Sequence, residues 1–290
     1  MIKLVLTDMD DTLVPAGAAG ASAHAIDGIN AALTAGVHFG PVSGRQPEAM
    51  KWMFEGHPEC YATGAFCNGQ LGFLDGELVF GKAFDNDALM RAAAFLEEET
   101  SDTCLKVYEL GADHFENSGY YITNDAERVR AAVGAGANAR LDEFSPNHFD
   151  IEDVPHYKAN IWSTKSRTDL EALRLQLCDI SPELDFVFPS NTGSFVDITP
   201  KGWNKGNAVG ELARALGIRI DEVAVFGDSY NDLPMIEAAP NAVAMGNAND
   251  AVKAAARWGI GDSKDDAVAD ALFEIAACAK TGEMPSFMRA

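Results

Sequence analysis

At 290 residues the chain has room for about two domains of roughly 150 residues each, and it can bury a full core without disulfides or a structural metal. Hydrophobic residues at 47% and charged residues at 23% give a globular balance that excludes disordered and collagen-like chains. Its 44 acidic against 22 basic residues leave a net charge of −22, a field that repels phosphate backbones and anionic lipid, so neither nucleic acid nor a membrane is expected as a partner.

Residues 2–6 form a short continuous apolar run, as expected of a strand covered on both faces. A Gly/Ala-rich loop over 15–21 leads to Ser22, a candidate N-cap for a helix with Ile26, Ile29 and Leu33 on one face and Gly36 as its stop. Residues 37–42 read as a second strand, ending at Ser43-Gly44, and 71–80 read as a hairpin turning at Asp75-Gly76. Near Lys82 the texture changes. Helices are predicted over 87–99, 125–133 and 168–178, with strands over 103–110, 115–123, 157–163, 184–188 and 194–198. Strands and helices arriving in blocks point to a separate α+β unit. The α/β alternation then returns, with helices over 205–216, 233–238, 250–256 and 266–279 and strands over 222–226 and 242–245. The tail beyond Thr281 reads as loose. The simplest architecture is one α/β domain with a parallel sheet, built from 1–82 and 190–290 and interrupted by an α+β insert over 83–189.

Five cysteines (Cys60, Cys67, Cys104, Cys178, Cys278) stand singly, with no C-x-x-C pair, so free thiols in a reducing compartment are expected. The N-terminus lacks a signal-peptide pattern and no apolar run approaches the length of a membrane span, which points to a soluble, cytoplasmic protein.

The strongest chemical signal is Asp8-Met-Asp10-Asp-Thr12-Leu, directly after the first predicted strand, where open α/β sheets bind ligands. Two carboxylates this close push their pKa values apart, so one can serve as nucleophile or metal ligand while the other carries a proton as general acid. Ser43-Gly44-Arg45 offers a hydroxyl, amides and a guanidinium suited to phosphate. Lys205 in Trp-Asn-Lys-Gly-Asn opens a helix, where an ammonium would join amides that already favour an anion. Gly227-Asp228-Ser-Tyr-Asn231-Asp232 adds two carboxylates after a buried strand, a hard-oxygen site suited to Mg²⁺, although an Asx-turn with a helix cap explains part of that pattern equally well. Each piece alone matches a solvated turn or a cap.

As an ordered set these four pieces resemble the motifs of the haloacid dehalogenase superfamily of phosphatases. The long insert, Asn68-Gly69 and the Ala-Met-Gly-Asn-Ala run at 244–248 are similar to its Cof-type branch, whose members carry a class IIB cap. The resemblance implies a Rossmann-like core with an inserted cap and a Mg²⁺-dependent phosphatase acting on a small phosphorylated metabolite, a sugar phosphate first and a phosphorylated cofactor next. It implies Asp8 as nucleophile, Asp10 as general acid and base, and Lys205 as the charge-neutralising cation. Ser43, Gly44, Arg45 and Asn231 would bind phosphate, and Thr12 would hold Asp10 and its loop. The metal would be bound by the carboxylates of Asp8 and Asp228 and the backbone carbonyl of Asp10, with Asp232 close behind. Such a metal, with the lysine, reconciles an acidic protein with an anionic substrate. Many relatives carry Gly where Asp11 stands, and D-G-V-A where this chain has Asp265-Asp266-Ala267-Val268-Ala269.

A phosphomutase of the same fold and a non-catalytic phosphate sensor are the alternatives; the presence of both Asp8 and Asp10 argues against the sensor. A monomer or homodimer is expected. Gly134-Ala-Gly136-Ala-Asn-Ala139 fits a dinucleotide fingerprint only on paper, since it follows a helix. The histidines lack metal-ligand spacing, and His114 and His148 are read as surface residues. Tyr120, Tyr121, His148, Tyr157, Lys158 and Trp162 are candidates to face substrate from the insert. Trp52, Trp162, Trp203 and Trp258 are read as packing residues and the Glu97-Glu98-Glu99 run as a solvated face.

Overall fold

The first apolar run becomes strand β1 (Leu4–Thr7), with all four residues buried. In this computed structural model, which describes residues 1–110, 117–134, 146–189 and 195–289, Ser22 caps helix α1 (Ala23–Thr34) by accepting the Ala25 amide. Strand β2 (His38–Pro41) and a short helix α2 (Ala49–Met53) follow, then a three-stranded antiparallel sheet of β3 (Gly64–Phe66), β4 (Leu71–Leu74) and β5 (Glu77–Gly81). The β4–β5 turn uses left-handed Asp75 and Gly76, as the Asp-Gly pair predicts.

Next come α3 (Asn86–Glu99), β6 (Thr103–Leu110), β7 (Asn117–Ile122), α4 (Ala126–Val133), β8 (Pro146–His148), β9 (Lys158–Ser163), α5 (Arg167–Ile180), β10 (Leu184–Val187) and β11 (Phe195–Pro200). The chain then returns through α6 (Lys205–Ala215), β12 (Val223–Gly227), α7 (Leu233–Ala238), β13 (Asn241–Ala244), α8 (Asp250–Ala255), β14 (Trp258–Gly259) and α9 (Ala267–Thr281).

Two compact units result, Met1–Gly81 with Asn204–Ala290 and, separately, Lys82–Trp203. The return therefore falls after Trp203 rather than at 190, because β11 pairs with both β9 and β10 and belongs to their sheet. In the first unit a five-stranded parallel sheet runs β14-β13-β12-β1-β2. The tail is docked rather than loose: Met288 is buried, Phe287 lies 6.4 Å from Phe226 between ring centroids, and Arg289 pairs with Glu283 at 3.0 Å.

In the second unit a six-stranded sheet runs β10-β11-β9-β6-β7-β8, antiparallel except for the parallel β7–β8 pair. Side chains alternate across it. Leu105, Val107, Ala159, Ile161, Val196 and Ile198 join the apolar faces of α3 and α5 in one core. On the opposite face α4 packs on Cys104 and Tyr121. That face also buries Lys158, whose Nζ donates to Asp197 Oδ1 at 2.6 Å, and the Asn160 amide donates to the same oxygen. The Glu97 end of the acidic run is more than a solvated face: its carboxylate pairs with buried Arg128 at 3.1 Å, and Arg128 also donates to the carbonyls of Leu96 and Glu97 that end α3. All five cysteines are free, with Cys178 alone only half-buried. Among the described residues no helix is long and apolar enough to cross a membrane. His114, the side chain of His148 and residues 135–139 of the glycine run lie outside the description.

Candidate active site

Strand β1 sits between β2 and β12, so its carboxyl end is a switch point: the chain proceeds to β2 on one side and returns as β12 on the other. Asp8 is the first residue beyond β1, and its amide extends the ladder by donating to Phe226 O at 3.0 Å. Asp228 stands at the equivalent place beyond β12. Lys205 is the first residue of α6, whose N-cap Asn204 forms a capping box with Asn207. A cation at a helix N-terminus opposes the helix dipole, so carboxylates must hold it there. They do. Lys205 Nζ donates to Asp8 Oδ1 at 2.5 Å and to Asp232 Oδ1 at 2.7 Å, with Lys205 only 1% exposed.

Asp232 is fully buried, and its second oxygen accepts the amides of Asp228 and Ser229, both at 3.0 Å. Thr12 Oγ1 donates to Asp228 Oδ1 at 2.8 Å. Burial, then the charge of Asp232, pushes the Asp8 carboxyl up to about 8 against the pull of Lys205. Asp228 is pushed up to about 6, again by burial first and Asp232 second, with the Thr12 hydrogen bond opposing. Desolvation disfavours the Lys205 ammonium, but Asp232 and Asp8 outweigh it and hold that charge well above the usual lysine range.

One ammonium thus faces three carboxylates. Oxygens of Asp8, Asp228 and Asp232 lie within 4.8 Å of one another. An all-oxygen set without His or Cys fits a hard divalent cation such as Mg²⁺ and not zinc. Asp232 already has both oxygens engaged by the lysine and two amides, so it closes the cluster from behind.

The Asp10 side chain leaves this cluster. Arg45 Nε and Nη2 grip its two oxygens at 2.8 and 2.7 Å, and the Arg45 guanidinium lies 5.4 Å from the ring centroid of Trp52. Trp52 is 49% exposed, so it is not the packing residue its type predicts. Ser43 is buried, and its Oγ accepts the Arg45 amide at 3.2 Å across Gly44.

Sequence reading therefore placed Asp8, Lys205, Asp228 and Asp232 together, and the folded chain brings them together. Three assignments change. Thr12 holds Asp228 rather than Asp10. Arg45, expected at phosphate, grips Asp10 with two of its donors. Asn231 accepts from Ser229 Oγ within its own turn, and Asp232 is the residue that orients Lys205.

Two further contributors carried a sequence signal without a role. Asn247, in the Ala-Met-Gly-Asn-Ala run, donates to Asp11 O at 2.8 Å and accepts the Ser263 amide at 2.9 Å, while the Asn249 amide donates to Asp228 O at 2.9 Å. Asn247, with Asn249 just beyond the run, thus laces the Asp8–Asp11 turn to the Asp228 turn. Asp11 has a left-handed φ of 59°, which accounts for glycine there in relatives. Asn68 and Gly69 are left-handed as well, and a Cβ on Gly69 would lie 3.0 Å from Asn204 O, so the glycine lets this turn approach the start of α6.

A family model for haloacid dehalogenase-like hydrolases matches residues 5–272. Pyridoxal phosphate phosphatase YbhA of Escherichia coli (strain K12) is 45% identical over 78 residues, 27% of this chain and 29% of that protein. A phosphoglycolate phosphatase of Methanothrix thermoacetophila is 34% identical over 153 residues, 51% of this chain and 66% of that protein. The chain thus spans less than two thirds of these relatives. The solved structure of the HAD subclass IIB sugar phosphatase BT4131 superposes with a TM-score of 0.72 at 22% identity, covering 93% of this chain and 97% of that one.

Proposed function

The chain belongs to the haloacid dehalogenase-like hydrolase family, and from that premise we propose that it is a Mg²⁺-dependent phosphatase for a small phosphorylated metabolite, a sugar phosphate first among the candidates. The observation that carries this reading is the buried Asp8–Lys205 contact of 2.5 Å at the end of β1, inside a cluster of three carboxylates. The names of the relatives and of the similar structure, which act on pyridoxal phosphate, phosphoglycolate and sugar phosphates, support the substrate class.

Asp8 is the nucleophile. Once its proton is displaced the carboxylate needs no further base, and one oxygen attacks phosphorus to form an aspartyl-phosphate while the bond to the leaving oxygen breaks. Asp10 gives that oxygen a proton, because an unprotonated alkoxide leaves poorly, and later takes a proton from the water that hydrolyses the intermediate. Lys205 sits against Asp8 and offsets the charge of the transferring group. The Ser43 hydroxyl, the Gly44 amide and Asn231 are the polar groups that would meet phosphoryl oxygens. Mg²⁺ would be held by the Asp8 and Asp228 carboxylates and the Asp10 carbonyl, backed by Asp232, and when bound it supplies positive charge for the equatorial oxygens. Thr12, through Asp228, keeps a ligand in place.

The test is phosphate release from a panel of sugar phosphates, nucleotides and phosphorylated cofactors, with Mg²⁺ and with EDTA, on wild type and Asp8→Asn. Turnover that requires both Mg²⁺ and Asp8 is the expected result. Release that survives in Asp8→Asn places the chemistry elsewhere.

A further inference from the structure

The general acid of the proposed reaction, Asp10, points away from the buried cluster, and something else must fix its direction. Asp10 is half-exposed, with its side chain 56% accessible, and a mobile carboxylate at such a site would sample many rotamers. Its two oxygens instead accept a fork from Arg45, at 2.8 and 2.7 Å, a planar two-point contact that fixes orientation as well as distance. The guanidinium is held in turn. Its carbon lies 5.4 Å from the ring centroid of Trp52, within the range of attraction between a cation and an indole face.

Trp52 has no other evident reason to be where it is. It belongs to α2, a five-residue helix that buries Ala49, Met50 and Met53, yet Trp52 itself leaves 49% of its surface in solvent. A large aromatic that is half-exposed contributes little to a core and is informative for that reason. The same stretch, from Ser43 to Trp52, thus provides the Ser43 turn, the fork and the aromatic plate behind it.

We propose that Trp52 is a positioning residue for the reaction: its indole face steadies the Arg45 guanidinium, and Arg45 aims the Asp10 carboxylate. The contact that links Trp52 to the site is the one with Arg45, and Trp52 acts through it. The inference rests on the phosphatase reading and extends it by a residue that none of the four motifs contains.

The experiment compares Trp52→Phe with Trp52→Leu. Both keep an apolar side chain, but only phenylalanine keeps an aromatic face for the cation. In Trp52→Leu, kcat falls about two- to fivefold, the scale of an exposed cation–aromatic contact, while KM stays nearly unchanged, and Trp52→Phe recovers most of the turnover. A readout without activity accompanies it: the Arg45 Nε–H signal in a ¹H–¹⁵N spectrum, shielded by the ring in wild type, moves downfield in Trp52→Leu. Equal kcat in the two variants, or an unmoved Arg45 signal, overturns the proposal and leaves the phosphatase reading intact. Wild type that releases no phosphate with Mg²⁺ overturns that reading, and this inference with it.

Discussion

Each compact unit buries a lysine against aspartate, and the two arrangements differ. In the second unit Lys158 meets Asp197 at 2.6 Å, with the Asn160 amide donating to the same carboxylate. In the first unit Lys205 meets Asp8 and Asp232 at 2.5 and 2.7 Å, with Asp228 alongside, one cation for three carboxylates. A buried lysine–aspartate contact tied into a sheet by a further hydrogen bond is a structural element. The unmatched cluster at the ends of parallel strands is not finished: protons or a second cation must complete it, and the raised positions of Asp8 and Asp228 register that demand.

The largest effect that separates the two is on turnover. Asp8→Asn should lower kcat by on the order of 10⁴ or more. Because it also replaces a buried carboxyl whose ionised form is disfavoured beside Asp232, its melting temperature in EDTA should equal or exceed that of wild type. A mutant that lost both activity and stability would make Asp8 a structural residue like Lys158.

Lys158→Met should do the reverse. Removing one partner of a buried pair costs about 3–5 kcal/mol of stability by urea denaturation. Binding of Mg²⁺, measured calorimetrically on the folded variant, should not change.

The third effect is a pH dependence. An acid raised in the folded state is protonated there while its unfolded counterpart is ionised, so the metal-free protein should lose stability as pH rises from the ordinary carboxylate range toward about 8, through the raised positions of Asp228 and Asp8. A cation must displace those protons, so Mg²⁺ affinity should rise with pH between about 6 and 8, by up to about tenfold per unit, with proton release detectable in buffers of different ionisation enthalpy. The rise in melting temperature on adding Mg²⁺ should grow over the same window.

The smallest effect concerns the turn before α9. Asp266 has a left-handed φ of 54° and accepts a hydrogen bond from Ser22 at 3.0 Å. Asp266→Gly relaxes the backbone and loses that bond, for a net change within about 0.5 kcal/mol by thermal melting. Asp266→Val should cost about 1–2 kcal/mol, because a branched residue tolerates that conformation poorly.

Most of the first unit was legible because its signals are local. Buried parallel strands read as unbroken apolar runs, and carboxylates directly after β1 and β12 had to meet once those strands were neighbours. The partners within the site were less legible. Whether Thr12 bonds Asp10 or Asp228, or Arg45 takes Asp10 rather than phosphate, depends on side chains from turns far apart in the chain. Strand β3, with three residues, and β14, with two, are too short to carry a period, and α2 is a single turn and a half. The second unit's end at Trp203 was missed for a different reason: β11 is amphipathic, and nothing local tells whether such a strand joins the sheet before it or the one after. Asp11, a departure from the glycine of many relatives, is an aspartate in a left-handed position, where glycine is also at ease.

The most direct test of the account is to trap the phosphorylated residue. Enzyme with Mg²⁺ and a turned-over substrate is acid-quenched, reduced with borohydride and digested, and the peptide spanning residues 1–45 is examined by mass spectrometry. Reduction of an acyl phosphate at Asp8 should yield homoserine there, only when substrate was present. An unmodified Asp8 beside homoserine at another aspartate, in a sample that releases phosphate, would contradict the account.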